Sequence, residues 1–273
     1  MPYIVAVNNP LLYFTRRLIG NEFEIRLLAP ADADPASWRP TVEDVLQLQG
    51  ADLVLLNGAG YSYWLDEVSI SSSKLVVTGE AAKKHWIPQE EQVTHSHGPG
   101  GEHAHGNYAF TTWMDLSLAR LQAGSIAAAL QQRWPAHKES VNKNLQQLDS
   151  ELDALDRAYR EQAKQLAGRD IIYSHPVYQY FKHRYRLPGQ SLHWEPNAMP
   201  SDEQWQKLSR SIGESSLFIW EGEPNPVIAT RMAALGLAFV VVDPAANRSE
   251  KDWLSVQREN LERLSIVVTE VLD

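Results

Sequence analysis

The chain has 273 residues, a formal net charge of -9 and no cysteine. Without cysteine there is no disulfide, thiolate metal site or cysteine nucleophile, so any metal must be bound by His, Asp, Glu or Tyr. The acidic balance disfavours nucleic acid as a partner, because phosphate binding needs clustered Lys and Arg. No segment approaches the ~20 consecutive apolar residues that are needed to cross a bilayer.

Short apolar runs alternate with amphipathic stretches in the first third of the chain, which predicts alternating strands and helices. The predicted strands cover residues 4–7, 23–28, 53–56 and 75–77. A further helix is predicted for residues 113–130, with Pro135 close behind its end. This alternation is typical of a parallel sheet with helices on its faces.

The middle of the chain predicts one long amphipathic helix. Leu and Tyr side chains recur there at three- and four-residue steps, and residues 136–167 contain neither Gly nor Pro. The pattern alone fits either an ordinary packed helix or a connector between two lobes. The position of this helix between two similar halves favours the connector.

The alternation of strands and helices returns in the last third, where strands are predicted at residues 171–173, 191–194, 217–220 and 239–242. The sequence therefore predicts an α/β fold of two similar lobes, each a parallel-rich four-stranded sheet flanked by helices. The predicted N-terminal lobe covers residues 1–135, the long connecting helix residues 136–167, and the C-terminal lobe residues 168–273.

Residues 94–106 hold two His-x-His pairs, which are separated by a turn that contains Gly and Pro. The imidazoles belong to His95, His97, His103 and His105. Neutral imidazole suits Zn²⁺, Cu²⁺ and Ni²⁺, and an exposed loop lets several rings converge on one ion. The alternatives are a solvated polar loop or a tag fragment, but a histidine-rich tract inside the chain favours metal binding.

Two further candidate ligands follow predicted strands of the second lobe. His175 comes shortly after the strand at residues 171–173, and Asp243 follows the strand at residues 239–242. Because α/β proteins bind ligands at the carboxyl ends of strands, both positions suit a ligand site. Taken singly, His175 is equally explained as a packed or surface histidine, and Asp243 as a helix cap. Together with loop imidazoles from the other lobe, they would form a metal site in an interlobe cleft.

Acid–base catalysis is the competing interpretation of the second lobe. His193, Glu195, Glu221 and Glu223 occupy strand-end or loop positions that suit proton transfer. No spacing supports a catalytic site, since the chain has no G-x-S-x-G elbow, no P-loop, no G-x-G-x-x-G after the first strand and no H-E-x-x-H helix. The acids after Trp220 are interpreted as surface residues of a strand-to-helix turn.

Several segments resemble the metal-binding subunits of bacterial zinc and manganese importers, the cluster A-I solute-binding proteins. Residues 34–41 and 51–58 are similar to segments of their first lobe, and residues 174–175 and 242–244 are similar to motifs of their second lobe. The similarity extends over nearly the whole chain. It implies a periplasmic or extracytoplasmic protein, made with a leader that has been removed or with a lipid anchor, that captures a divalent metal ion between its lobes.

The resemblance also implies that the protein performs no catalysis and delivers its metal to the membrane permease of an ABC importer. We expect it to be a monomer. His175 and Asp243 match the second-lobe ligands of this family, and His instead of Glu at the former position favours Zn²⁺, with Mn²⁺ or another divalent transition metal as the alternative. Ala36 and Thr111 stand where the family has first-lobe histidines, and neither supplies an imidazole.

Two explanations of this departure stay open. In the first, His97, His103 or His105 replaces the missing imidazoles, and this explanation is favoured because the loop offers nitrogen ligands nearby. In the second, the ancestral metal site is degraded, and the chain binds metal weakly, binds something else or serves as an interaction module. A metal-dependent hydrolase that uses the same cleft is the enzymatic alternative.

Overall fold

The structure, a computed structural model, describes residues 1–89, 94–96, 102–104, 107–195, 198–213 and 215–272. The chain divides into two compact units. The first unit comprises Met1–Ala154 and Ala245–Trp253, and the second comprises Leu155–Pro244 and Leu254–Asp273. Each unit therefore contains two separate stretches of the chain. The sequence-based boundaries at residues 135 and 167 stay a prediction.

The first unit contains a four-stranded parallel sheet in the order β2-β1-β3-β4. Its strands are β1 (Tyr3–Ala6), β2 (Glu24–Arg26), β3 (Leu53–Leu56) and β4 (Leu75–Val77). Strand β3 is buried along its whole length and consists of Leu and Val, which is typical of a parallel strand covered on both faces. The strands predicted at residues 53–56 and 75–77 have the observed bounds, and the other two begin or end at different residues.

Capping residues set where the helices of the first unit begin. The helices α1 (Asn9–Ile19), α2 (Val42–Gly50) and α3 (Leu116–Arg133) start after Asn8, Thr41 and Asp115, whose side chains accept backbone N–H groups of the first turn. The helix predicted for residues 113–130 therefore begins later than expected. Asp115 fixes its start, because its carboxylate accepts the N–H of Ser117.

The long predicted helix is confirmed as α4 (Lys138–Gln165). Val141, Leu148 and Leu152 are fully buried along one face of this helix, whereas the exposed faces carry charged and amide side chains. The helix begins in the first unit and ends in the second, since the units meet at Ala154 and Leu155 in the chain. It is thus one element shared by both units.

The histidine-rich segment contains two short strands, where the sequence predicted only an exposed loop. Strands β5 (Thr94–Ser96) and β6 (Glu102–Ala104) pair antiparallel, and His95 stands opposite His103 in the register. Two short runs separated by a few residues that include Gly form such a hairpin readily. His97 and His105 lie outside the described residues.

The second unit contains a four-stranded parallel sheet in the order β10-β9-β7-β8. Its strands are β7 (Ile171–Tyr173), β8 (Gln190–Ser191), β9 (Leu217–Trp220) and β10 (Ala238–Val241). The sheets of the two units are parallel and four-stranded. The predicted α/β fold of two similar lobes is therefore confirmed.

Strand β8 ends earlier than the strand predicted for residues 191–194. Residues after Ser191 continue as a loop, although the N–H of Leu192 donates to the carbonyl of Tyr173. Gly189 enters this strand with φ +117°, and a Cβ atom there would lie 1.8 Å from the carbonyl oxygen of Ile171. Only glycine permits so close an approach of two backbones, so the start of β8 depends on this residue.

Helices α5 (Gln179–Tyr185), α6 (Asp202–Ser211), α7 (Pro226–Ala234) and α8 (Trp253–Leu272) complete the described elements. Trp194, Trp205 and Trp220 lie in the core of the second unit, and the rings of the first two have centroids 4.9 Å apart. These tryptophans pack the interior of the second unit. In the part of the chain that the structure describes, no helix is both long and apolar enough to cross a bilayer.

Candidate metal centre

Every strand of the second sheet is followed by a candidate metal ligand. His175 follows β7, Glu195 follows β8, Glu221 follows β9 and Asp243 follows β10. Because all neighbouring strands in this sheet are parallel, their carboxyl ends lie at the same edge. This edge is where open α/β sheets bind ligands.

Three of these side chains converge on one point. One ligand atom from each of His175, Glu195 and Glu221 lies within 4.8 Å of the others, and all three residues are partly buried. Nδ1 of His175 is 3.4 Å from Oε1 of Glu195. Two ligands held ~2.1 Å from a tetrahedral zinc ion are themselves ~3.4 Å apart. The separation between His175 and Glu195 therefore fits two ligands of one zinc ion, and Glu221 brings a carboxylate oxygen within 4.8 Å of a ligand atom of each.

Ser174 ties three of the strand ends together. Its N–H donates to the carbonyl of Ile219 at 2.8 Å, and its carbonyl accepts the N–H of Trp194 at 2.8 Å. Its hydroxyl oxygen also accepts the N–H of Glu221 at 3.3 Å. The serine is fully buried and directly precedes His175. It thus fixes the backbone that carries all three converging side chains.

Replacing Ser174 by Ala should reduce Zn²⁺ affinity about three- to tenfold, because loss of a residue that orients ligands weakens a metal site. Loss of the hydroxyl acceptor should lower the free energy of unfolding by only about 1 kcal/mol. Competition with a fluorescent chelator and urea unfolding measure the two effects. Ser209→Ala, at an exposed serine of α6, is the matched control. A stability loss without any change in affinity would assign Ser174 a purely structural role.

Asp243 lies at the same edge but outside the group of three. Among the described residues, the cluster of ligand atoms within 4.8 Å contains His175 and not Asp243. Buried Asn260 holds the backbone of Asp243, since its Oδ1 accepts the aspartate N–H at 3.0 Å and its Nδ2 donates to the carbonyl at 2.7 Å. Two ligands predicted from the sequence are thus placed on the same sheet edge, without being brought into one cluster.

Tyr178 lies near Glu221 and Asp243, which follow β9 and β10, and its phenol stays neutral. Its hydroxyl donates to the carbonyl of Val242 at 2.8 Å. Burial, followed by the negative charges of Glu221 and Asp243, raises the pKa of Tyr178 well above its ordinary value. The phenol is therefore protonated at neutral pH and donates its hydrogen bond to the backbone next to Asp243.

The family of the chain follows from comparison with known proteins. Residues 4–266 match the family model described as zinc-uptake complex component A, periplasmic, or ZnuA. The chain belongs to the ZnuA family. This result confirms the resemblance to metal-importer binding proteins that the sequence motifs indicate.

Relatives of this ZnuA-family chain are distant in sequence. Zinc-binding protein AdcA of Streptococcus pyogenes is 24% identical, over 96% of this chain and 55% of its own length. The chain thus spans about half the length of that relative. The high-affinity zinc uptake system protein ZnuA of Bacillus subtilis is 23% identical, over 96% of this chain and 86% of its own length.

The same fold occurs in a solved structure. The metal-dependent lipoprotein YcdH from Bacillus subtilis superimposes with a TM-score of 0.82 at 20% identity, covering 97% of this chain and 98% of the other. At this identity the likeness shows the fold alone.

The first unit supplies no metal ligand at the two family positions that the sequence analysis singled out. Ala36 and Thr111 are both buried, at 4% exposure. Asn57, which follows β3, donates from Nδ2 to the carbonyl of Phe110 at 2.9 Å and so fixes the backbone beside Thr111. These two positions carry a methyl group and a hydroxyl in place of imidazoles.

The sequence does not predict the two carboxylates of the three-residue cluster as metal ligands. Glu195 and Glu221 are predicted as candidates for acid–base catalysis, and the acids after Trp220, which include Glu221, as surface residues of a turn. The structure brings both to His175. The signal that could have found them is their position, because each follows a predicted strand of one parallel sheet, as His175 and Asp243 do.

Proposed function

We propose that this ZnuA-family chain is the metal-capturing component of an ABC importer for Zn²⁺ or a related divalent cation. The convergence of His175, Glu195 and Glu221 at one sheet edge is the observation that carries the proposal. The family match and the zinc-related names of the relatives support zinc as the substrate. In this role the protein acts outside the cytoplasm as a monomer, and it passes the ion to a membrane permease without chemical conversion.

The donor set explains which cations should bind. One imidazole with two carboxylates matches the nitrogen and oxygen ligands that zinc accepts in proteins. Mn²⁺ tolerates the same ligands but binds more weakly, because affinity for divalent metals rises from manganese towards copper and zinc. Mg²⁺ prefers an octahedral all-oxygen shell and should compete poorly. Zinc is therefore the expected cargo.

The other predicted ligands keep a place in the proposal. Asp243, at the end of the outermost strand, is proposed to complete the coordination when metal binds. The histidines of residues 94–106 are proposed as collectors or as substitutes for the imidazoles missing at Ala36 and Thr111. These histidines are His95, His97, His103 and His105.

Titration of chelator-treated protein with Zn²⁺, Mn²⁺ and Mg²⁺ tests the proposal. We expect one high-affinity zinc site per chain, with Mn²⁺ bound there at least about tenfold more weakly and Mg²⁺ not detectably bound. Calorimetry measures affinity and stoichiometry. The fluorescence of Trp194 and Trp220, which directly precede Glu195 and Glu221, gives a second readout of binding at this edge.

Flat titrations with all three cations would overturn the capture role and leave only the shared fold with the family. Zinc-dependent hydrolysis of an ester, amide or phosphate substrate would instead favour the enzymatic alternative, which needs an open coordination position on the metal. Hydrolysis assays with the zinc-loaded protein separate these outcomes.

A further inference from the structure

A cationic pocket lies on the second unit, built from the end of α4 and from α5. It is a cavity of about 550 Å³, which is in the size range of small-molecule sites. Four of its lining residues are cationic and none is acidic, although the whole chain has a net charge of -9. The lining residues are Arg160, Ala163, Lys164, Ala167, Arg184, Tyr185 and Arg186. We call it the basic pocket.

One buried carboxylate organises two of the arginines. Arg184 donates to both oxygens of Asp156, at 2.9 and 2.6 Å, and Nη2 of Arg160 lies 2.8 Å from Oδ2. The hydroxyl of Tyr185 donates to Oδ1 at 3.2 Å. A single negative charge therefore holds two guanidinium groups in place. Both guanidinium groups thus lie at the pocket wall.

The other two cations carry little compensation. Lys164 pairs with Glu161, but both side chains are about 70% exposed, and such surface pairs bind weakly. Within the described part of the chain, no carboxylate pairs with Arg186. Two carboxylates, Asp156 and Glu161, pair with cations of the pocket, which has four cations in its lining.

The dipoles of the neighbouring helix ends do not neutralise the positive charge of the pocket. α4 ends at Gln165 and α5 ends at Tyr185, so the C-terminal dipoles of both helices lie beside the pocket. Each dipole is equivalent to about half a negative charge, so together the two dipoles balance about one of the four positive charges of the lining. Arg186 moreover adopts a left-handed backbone with φ 55°, a conformation that disfavours a residue with a Cβ.

We propose that the basic pocket binds a phosphate-type anion, either a soluble phosphate compound or the headgroup of an anionic phospholipid. Planar guanidinium forks match phosphate oxygens with paired hydrogen bonds, and the lysine adds a mobile charge. Ala163 and Ala167 leave room for the group, and the ring of Tyr185 forms an apolar wall. The site is independent of His175, Glu195 and Glu221, so metal capture and anion binding are separately testable.

The test compares two charge-removing double variants of the metal-free full chain. Lys164→Gln with Arg186→Gln removes two pocket cations and leaves the Asp156 network intact. Lys207→Gln with Arg210→Gln removes two exposed cations of α6 and is the control with the same net charge. Calorimetry with inorganic phosphate and pyrophosphate probes soluble anions. Cosedimentation with phosphatidylglycerol vesicles, against phosphatidylcholine vesicles, probes headgroups.

We expect the pocket variant to weaken binding of the responding probe about tenfold or more, and the control to leave it near the value of the unmodified chain. Binding to free phosphates alone assigns a soluble ligand, and binding to phosphatidylglycerol vesicles assigns a headgroup. Absence of binding to every probe would overturn the proposal, and so would equal weakening in both variants. Zinc titration of the pocket variant checks that the second unit is intact.

Discussion

Replacing His175 by Ala should weaken Zn²⁺ binding by at least about 100-fold, measured by competition with a zinc chelator of known affinity. His175 supplies the only nitrogen ligand of the three-residue cluster, and its side chain is only 12% exposed. Without the imidazole, two carboxylates and water molecules are left to coordinate zinc, and they bind it weakly. His183→Ala is the matched control, because this histidine is exposed on α5 of the same unit.

Glu195 and Glu221 should be as important for zinc binding as His175. Glu195→Gln with Glu221→Gln keeps the size of both side chains and removes their charges, so it should also weaken zinc binding about 100-fold. Circular dichroism during heating should show that this variant folds, since both residues are only partly buried. Unchanged zinc affinity in the histidine variant and in the double glutamate variant would rule out this sheet edge as the capture site.

A variant of the loop histidines separates the two explanations of the missing first-lobe ligands. Asn at His95, His97, His103 and His105 should reduce the number of zinc ions bound or the affinity if these side chains serve the site. If only His175→Ala weakens zinc binding, the three-residue cluster of the second unit is sufficient for capture. If only the loop variant weakens zinc binding, the metal is held at the hairpin segment.

Replacing Asp156 by Ala should lower the free energy of unfolding by about 3–5 kcal/mol. Asp156 is 1% exposed and accepts hydrogen bonds from Arg184 and Tyr185, while Arg160 lies 2.8 Å from its Oδ2. Its removal leaves two guanidinium groups facing each other without the carboxylate that neutralises them. Urea unfolding, followed by tryptophan fluorescence of the second unit, measures this loss.

Glu161→Ala is the control for this prediction, because it removes a carboxylate from the same helix that pairs only with exposed Lys164. Its expected cost is below about 1 kcal/mol. Equal effects of the two substitutions would show that the Asp156 network contributes no more than an ordinary surface ion pair. A large effect of Asp156→Ala alone would confirm that this buried carboxylate anchors α5 to α4.

The sequence predicts the strands of both four-stranded sheets and the long helix α4. The buried strand Leu53–Leu56 is recognisable because all its residues are apolar, and α4 is recognisable because its apolar residues recur at helical spacing. The hairpin at β5 and β6 was missed, since Gly and Pro between short polar runs indicate a loop as readily as a turn. The start of α3 was also misplaced, because a cap depends on one hydrogen bond of Asp115.

His175 and Asp243 are recognisable as candidate ligands from the sequence alone, because each follows an apolar strand and matches a motif of the family. Only the tertiary structure decided that His175 meets Glu195 and Glu221. The reason is the strand order β10-β9-β7-β8, which places the ends of β7, β8 and β9 side by side. Strand order depends on how whole helices and strands pack against each other, and no local pattern of residues records it.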